Sequence, residues 1–221
     1  MSIISKWKDR LRFREALLRS ARKRHEAHPT AASRDLIDKR KKQVAQAKAA
    51  VEAADGWRPK IVNLNFRPNG PLAAQPKIQW VTGHYTAGPV DRNDTECEKL
   101  LRGIDSYHKL SNGWTMIGYA FAISRKGTLY LCRPATMVGA HTLNHNTANV
   151  GVVCNGTTGD RPTAAQAKTF RWLLQNAHTS ALPPAFRVNL RGLPVKGHND
   201  WMSTSCPGAF KTMYVSKGAQ R

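Results

Sequence analysis

The sequence has few acidic residues, few cysteines and no long apolar segment. Only 14 aspartates and glutamates accompany 35 lysines and arginines, which gives a formal net charge of +21. No stretch approaches the ~18 consecutive apolar residues of a membrane-spanning helix, and the segment MSIISKWKDRLRFRE becomes charged too early to hold a signal-peptide core. We therefore expect a soluble globular protein made in a cytoplasm without an export signal. The positive charge favours a polyanionic partner, such as nucleic acid, an anionic membrane or an acidic wall polymer.

The four cysteines predict neither a disulfide framework nor a paired-cysteine metal motif. Cys97, Cys132, Cys154 and Cys206 are widely spaced and include no CxxC pair. Cys154 lies in the apolar run VGVVC, which is typical of a buried thiol. Cys206 differs from the others because it lies among turn residues and polar side chains, in KGHNDWMSTSCPG at residues 196–208.

The first quarter of the chain has a helical composition. Residues 1–55 contain no glycine and a single proline, Pro29, and they include 15 basic and seven acidic residues. Apolar residues repeat every seven positions from Ile37 to Val51, and the segment AHPTAAS supplies a break, with Ser33 as the N-cap of a second helix. We predict a basic helical hairpin or a pair of accessory helices. It either packs on the rest of the chain as a solvated pair or binds anionic wall polymers or membrane lipid.

The remaining sequence predicts one α/β domain behind a linker. Residues 56–76 carry four prolines and little periodicity, which indicates a linker or an extended lead-in. Residues 77–221 then alternate apolar strand patterns with helical patterns, so we predict a central mixed β-sheet flanked by helices. The predicted strands lie in KIQWVTGHY, MIGYAFAISRKGTLYLC (two strands) and NVGVVCNG, and the helices in DTECEKLLRGIDSYHKL, TAAQAKTFRWLLQNAHTSA and the segment after Pro207.

Two histidines and one cysteine are the candidate metal ligands. His84 ends the first predicted strand of the domain in WVTGHYTAGP, where a strand end displays side chains into a site. His198 and Cys206 lie eight residues apart in a loop, so neither a helical nor a strand period brings them together. Two imidazoles and a thiolate suit Zn²⁺ and leave a fourth position for water, as in catalytic zinc sites. The alternative is that these histidines are hydrogen-bonded structural residues.

Four motifs occur in the order in which one known family carries them. GHYTAG resembles the family's first ligand motif, GYAFAISRKGTLY resembles the strand pair with its catalytic tyrosine, VGAHTLNHNTANVGVVCNG resembles its central segment, and KGHNDWMSTSCPG resembles its second and third ligand motif. The resemblance runs from about Ile78 to Phe210. In this region the chain is similar to the zinc-dependent N-acetylmuramoyl-L-alanine amidases related to T7 lysozyme and to peptidoglycan recognition proteins.

The resemblance implies one Zn²⁺ per chain, bound by His84, His198 and Cys206. It also implies that Tyr119, in IGYAF, is the catalytic tyrosine that positions the metal-bound water and the scissile carbonyl. Thr204 occupies a position filled by lysine in the T7-type enzyme and by threonine in catalytic recognition proteins. Its hydroxyl can donate a hydrogen bond to an oxyanion but lacks the charge of lysine.

Four further residues have both a functional and a structural interpretation. His141 resembles a family histidine near the substrate groove, or is a hydrogen-bonded residue of the fold. His145 and Asn146 line that groove or cap a turn. Asp200 orients a ligand histidine as a hydrogen-bond acceptor, or forms an Asx-turn.

The implied function is hydrolysis of peptidoglycan, with zinc-activated water cleaving the amide between N-acetylmuramic acid and L-alanine and so causing cell-wall lysis. A non-catalytic peptidoglycan-binding module is the alternative, although such proteins usually lack the cysteine ligand that Cys206 supplies here. No nucleic-acid-binding motif accompanies the charge. The chain is also similar to a bacteriophage endolysin, which is made in the host cytoplasm and acts at the wall after membrane permeabilisation.

Overall fold

The chain folds into two compact units, Met1–Trp57 and Arg58–Arg221. The structure, a computed structural model, describes residues 3–54 and 56–215, without the side chains of residues 3–7, 49, 50 and 52–54. Residues 216–221 of the predicted α/β domain therefore lie outside the described residues. No described helix is both long enough and apolar enough to cross a membrane.

The first unit is a hairpin of two helices, α1 (Ile3–Ala27) and α2 (Ala31–Ala54). The N-H of Ser33 donates to Thr30 Oγ1 and the N-H of Thr30 donates to Ser33 Oγ, both at 3.0 Å. This reciprocal pair makes Thr30 the capping residue, so the prediction that Ser33 is the N-cap is wrong. The buried apolar side chains between the helices are small or branched: Ala21, Ile37, Val44 and Ala47.

The second unit is built on a six-stranded mixed sheet, which confirms the predicted fold class. Its spatial order is β1-β4-β3-β5-β2-β6, and every neighbouring pair is parallel except β3 and β4. The strands are β1 (Ile61–Asn63), β2 (Trp80–Tyr85), β3 (Phe121–Ile123), β4 (Leu129–Leu131), β5 (Asn149–Cys154) and β6 (Val195–Gly197).

Three α-helices accompany the sheet: α3 (Asp94–Leu110), α4 (Ala164–Asn176) and α5 (Lys211–Tyr214). Asn93 caps α3 by accepting a hydrogen bond from the N-H of Glu96, and Thr163 forms a capping box with Gln166 at the start of α4. Short 3₁₀ helices span Pro184–Phe186, His198–Asp200 and Gly208–Phe210.

The proline-rich segment 56–76 contributes one strand to the sheet. It contributes β1, whose Ile61 pairs with Leu129 in the parallel register with β4, and the N-H of Leu64 continues this pairing to the carbonyl of Leu131 at 3.2 Å. The sequence predicted no strand here. The four prolines are typical of a linker. The strand itself has only three residues, too few to show a strand pattern, and its hydrogen bonds come from a single partner strand.

Core packing fixes the carboxyl end of β2, where the candidate site begins. The ring of Tyr214 lies so close under Gly83 that a Cβ there would approach it to 2.2 Å. The Tyr214 hydroxyl donates to the carbonyl of His84 at 2.8 Å. Because β2 lies between β5 and β6 and runs parallel to both, all three strands end at the same edge of the sheet.

Candidate metal centre

His84, His198 and Cys206 come together at this edge of the sheet. One ligand atom from each lies within 4.8 Å of the others. His84 is near the end of β2, and His198 directly follows β6, so neighbouring parallel strands bring the two imidazoles to a centroid distance of 4.5 Å. The loop after His198 then returns Cys206, whose Sγ lies 3.8 Å from His84 Nδ1.

The environment of this cluster favours a bound cation. Burial lowers the pKa of His84 well below its ordinary value and also lowers the pKa of His198, so both rings are neutral at physiological pH. Burial raises the pKa of the Cys206 thiol to about 11, and the backbone N-H of Tyr85 opposes that shift. His198 Nε2 is buried and has no hydrogen-bond partner among the described residues. Two neutral imidazoles, one of which has an unsatisfied ring nitrogen, and a thiol fit a divalent metal such as zinc.

His141 lies against His84 and fixes which nitrogen of that ligand is free. His141 Nε2 is 3.3 Å from the carbonyl of Asn149, and its Nδ1 is 3.2 Å from His84 Nε2. The carbonyl can only accept, so His141 carries its proton on Nε2, and its unprotonated Nδ1 accepts from the Thr142 hydroxyl at 2.9 Å and faces His84 Nε2-H. The lone pair of His84 then lies on Nδ1, the atom that faces Cys206. His141 therefore orients the candidate ligand His84, in the way that partners of metal-bound histidines commonly do.

Glycines leave room for the His141 ring. A Cβ at Gly151 would lie 2.5 Å from His141 Cδ2, and one at Gly139 would lie 2.6 Å from the same atom. The ring is buried, with 7% of the residue exposed. The structure therefore places His141 as a buried, hydrogen-bonded residue beside the candidate ligand His84.

Tyr119 forms another side of the site. Its ring centroid is 5.1 Å from that of His84 and 5.9 Å from that of His108. Burial, with a smaller contribution from Cys206, raises the pKa of the Tyr119 phenol, so the phenol keeps its proton at neutral pH. His108 Nδ1 accepts from the N-H of Gly118 at 3.1 Å, which anchors the residue before Tyr119 to α3.

Thr204 and Asp200 shape the loop that carries the ligands. Thr204 Oγ1 accepts from the N-H of Cys206 at 3.2 Å, which leaves the hydroxyl proton available for another acceptor. Asp200 accepts from the N-H of Gly197 at 2.8 Å and forms an ion pair with Lys211. The described contacts of Asp200 thus cap the start of the 3₁₀ helix at His198 and do not reach the His198 ring, and since the donor lies three residues before Asp200 the contact is not the predicted Asx-turn.

His145 and Asn146 belong to the segment between β4 and β5. Asn146 Oδ1 accepts from the N-H of His141 at 2.7 Å and from that of Thr142 at 2.8 Å, so Asn146 holds a turn. His145 is exposed and stacks on Trp201 at a centroid distance of 4.5 Å. That stack connects the segment with His141 to the loop with His198.

Arg133 is a residue of the site region that the sequence analysis missed. It follows β4, is only 6% exposed, and its charge contributes to the lowered pKa of His141. Its Nε is buried without a hydrogen-bond partner, and no carboxylate in the described part of the chain pairs with its guanidinium. Desolvation lowers its pKa. An arginine directly after the apolar run LYLC was the sequence signal, since a cation in that position needs an anionic partner.

Comparison with known proteins identifies the family. The model of the Amidase_2 family, N-acetylmuramoyl-L-alanine amidase, matches residues 74–209. The chain belongs to the Amidase_2 family. This match contains all three candidate ligands together with Tyr119 and Thr204.

Relatives of this Amidase_2 chain include amidases and recognition proteins. The N-acetylmuramoyl-L-alanine amidase of Homo sapiens is 33% identical over 154 residues, which are 68% of this chain and 24% of the human protein. The chain thus spans about a quarter of that relative. Peptidoglycan-recognition protein SC2 of Drosophila simulans is 32% identical over 132 residues, 59% of this chain and 68% of that protein. The structure of the endolysin amidase LysCS from Clostridium intestinale is 29% identical with a TM-score of 0.53, covering 69% of this chain and 89% of LysCS.

Proposed function

We propose that this Amidase_2 protein is a zinc-dependent N-acetylmuramoyl-L-alanine amidase that hydrolyses the amide between N-acetylmuramic acid and L-alanine in peptidoglycan. The observation that carries the proposal is the complete set of His84, His198 and Cys206, with ligand atoms within 4.8 Å of one another. The family includes both amidases and recognition proteins, so membership alone does not decide between them. A recognition function does not require a convergent set of metal ligands, whereas hydrolysis by a metal-activated water does.

A zinc ion held by these ligands would polarise the scissile carbonyl and lower the pKa of its coordinated water. The phenol of Tyr119, protonated at neutral pH, donates a hydrogen bond to the carbonyl oxygen and is the candidate to relay the proton given up by the attacking water to the leaving amine of L-alanine. Thr204 adds a neutral hydroxyl donor for the developing oxyanion. The guanidinium of Arg133 offers a binding partner for a carboxylate of the substrate.

Mass spectrometry of digested peptidoglycan tests this function. The protein is expected to release free stem peptides that begin with L-alanine, and a chelator is expected to stop the release. His84→Ala and Cys206→Ala should each lose stoichiometric zinc and reduce cleavage by about 100-fold or more, because removing one ligand disrupts the metal site. His178→Ala, at an exposed histidine outside the site, is the matched control and should cleave normally.

Full cleavage by either ligand variant would contradict the site assignment. Binding of the wall without release of any such peptide, in the zinc-loaded protein, would instead support the recognition module. One digestion and one pull-down on the same peptidoglycan therefore distinguish hydrolysis from recognition.

The basic helical hairpin suggests where the enzyme acts. Arg19, Arg22, Lys23 and Arg24 are exposed on α1, and none has a carboxylate partner within the described ranges. We propose that these cations hold the enzyme on anionic wall polymers or membrane lipid, and that the protein is a bacteriophage endolysin, made in the host cytoplasm and reaching the wall after membrane permeabilisation. The similarity to the endolysin LysCS supports this assignment.

Replacing these four cations by glutamine tests the role of the hairpin. Cleavage of soluble muropeptides is expected to stay unchanged, while lysis of whole walls should fall several-fold and lose part of its salt dependence, because exposed charges act through a screened field. Sedimentation with purified walls and with anionic vesicles identifies which surface is bound. Unchanged lysis and unchanged sedimentation would contradict this role.

A further inference from the structure

Tyr85 reaches the metal-ligand loop at two successive residues. It follows the ligand His84 at the end of β2 and is only 8% exposed. Its backbone N-H donates to Cys206 Sγ at 3.4 Å, and its phenol oxygen lies 2.8 Å from Ser205 Oγ. One residue thus contacts both the ligand thiol and the side chain directly before it.

The same phenol also binds the loop that follows β5. Tyr85 Oη lies 2.7 Å from Thr158 Oγ1, so it can donate to one hydroxyl and accept from the other. The Thr158 backbone in turn packs against Gly208, where a Cβ would lie 3.1 Å from the Thr158 carbonyl oxygen. The Tyr85 hydroxyl therefore joins three segments that are distant in sequence.

The two halves of the ligand loop are held by different contacts. Near His198, Asp200 accepts from the N-H of Gly197, and the indole N-H of Trp201 donates to Thr82 Oγ1 at 2.9 Å. Near Cys206, Tyr85 supplies a backbone N-H to Sγ and a phenol oxygen to Ser205 Oγ, and the imidazole of His84 contacts Sγ at 3.8 Å. Without the phenol, the Cys206 half would keep its local Thr204 turn, the Tyr85 backbone N-H and the contact with His84. It would lose the hydroxyl contact at Ser205, which joins it to Tyr85 and to the Thr158 loop.

We infer that Tyr85 is a positioning residue that fixes Cys206 for metal binding. The inference rests on the proposed function, because it assumes that Cys206 is a metal ligand. A tetrahedral site has a narrow range of acceptable ligand distances, so a loop that drifts loses affinity before it loses its fold.

Zinc affinity, measured by competition with a chromophoric chelator, tests this role on the full chain. Tyr85→Phe keeps the ring and removes only the hydroxyl. It should weaken zinc binding by about 10- to 100-fold, the usual effect of losing an outer partner of a metal ligand. With cobalt in place of zinc, the thiolate-to-cobalt absorption band should weaken or shift. Tyr107→Phe is the matched control, since Tyr107 is 60% exposed, and should bind zinc like the unmodified protein.

A double substitution separates the hydroxyl contact from general destabilisation. Ser205→Ala should reproduce part of the loss, and Tyr85→Phe/Ser205→Ala should bind zinc about as weakly as Tyr85→Phe alone, because both remove the same contact. Since Ser205 is exposed, its substitution tests the contact even if Tyr85→Phe does not fold. Losses that multiply as independent effects would contradict a shared contact.

The outcomes distinguish the inference from the function on which it rests. If the unmodified protein binds no zinc, both are overturned. If it binds zinc and cleaves peptidoglycan while Tyr85→Phe has the same affinity and the same cobalt band, only the positioning role is overturned. A lower unfolding temperature with unchanged zinc affinity would likewise make Tyr85 a residue of the fold and not of the site.

Discussion

Gly118 shows how closely the backbone packs around the candidate site. Its N-H donates to His108 Nδ1, and its carbonyl accepts from the N-H of Ala140 at 3.1 Å. A Cβ on this residue would lie 1.8 Å from the carbonyl oxygen of Ala140, which is backbone and cannot rotate away. Gly118 therefore allows the Tyr119 segment and the His141 segment to approach each other.

Gly118→Ala is expected to separate these two segments. It should destabilise the protein by about 3 kcal/mol, at the upper end of the range for overpacking, and reduce amidase activity by displacing His141 and Tyr119 together. Chemical denaturation and the stem-peptide assay measure the two effects.

Gly103→Ala provides the matched control on helix α3. A Cβ there meets no atom within 4 Å, so alanine should stabilise the helix by about 0.5–1 kcal/mol. Equal effects of the two substitutions would show that the contact with Ala140 does not control the site.

Individual site residues differ in how far the sequence could predict them. The ligands His84, His198 and Cys206 stand in motifs that resemble a known family, so their meeting was expected although no local period produces it. The orienting role of His141 was not expected, because its partner His84 lies 57 positions away and their contact depends on strand pairing. Arg133 was missed because burial of its guanidinium follows from the packing of the folded chain, which the residue's type does not indicate.

Secondary structure was most predictable where an element was long and periodic. Helix α3 spans the segment DTECEKLLRGIDSYHKL as predicted, with an amphipathic pattern and an asparagine cap. The predicted strands around Val81, Val152 and the Lys126-Gly127 turn are also present. Their apolar runs are long enough to indicate strands even where single residues show no clear preference.

Strands β1 and β6 were missed because their three-residue segments, IVN and VKG, lie outside the long apolar runs that reveal the equally short β3 and β4. Neither has enough positions to show alternation, and both occupy sheet edges where one neighbour supplies all the ladder hydrogen bonds. Missing β6 matters most for the site, because this strand places His198 beside His84. A strand that the sequence pattern does not reveal therefore places a candidate metal ligand.

At the scale of the whole molecule, positive charge is distributed over both units. Residues 1–55 carry a net +8 of the total +21, so the unit with the candidate site is basic as well. A net positive charge in both units favours approach to anionic surfaces. The hairpin is therefore expected to add residence on the surface without being required for the chemistry.

Acid is expected to destabilise the folded chain through its buried neutral histidines. Burial lowers the pKa of His108 to about 4, partly opposed by Asp105, and its Nδ1 must stay unprotonated to accept from Gly118. The ordinary value is 6.5. Between these two values the unfolded chain binds a proton that the folded chain does not, so stability is full above about pH 6.5 and falls as the pH decreases. His141, whose pKa burial also lowers to about 4, acts in the same direction.

Denaturation at several pH values between 7.5 and 4.5, in a chelator so that metal binding does not contribute, measures this effect. The free energy of unfolding should fall by up to about 1.4 kcal/mol per pH unit for each such histidine inside the window. His108→Gln should have a shallower dependence on pH, because one of the groups is removed. His178→Gln, at an exposed position, should keep the slope of the unmodified protein. A slope that is the same in all three proteins would show that protonation of His108 does not limit stability in acid.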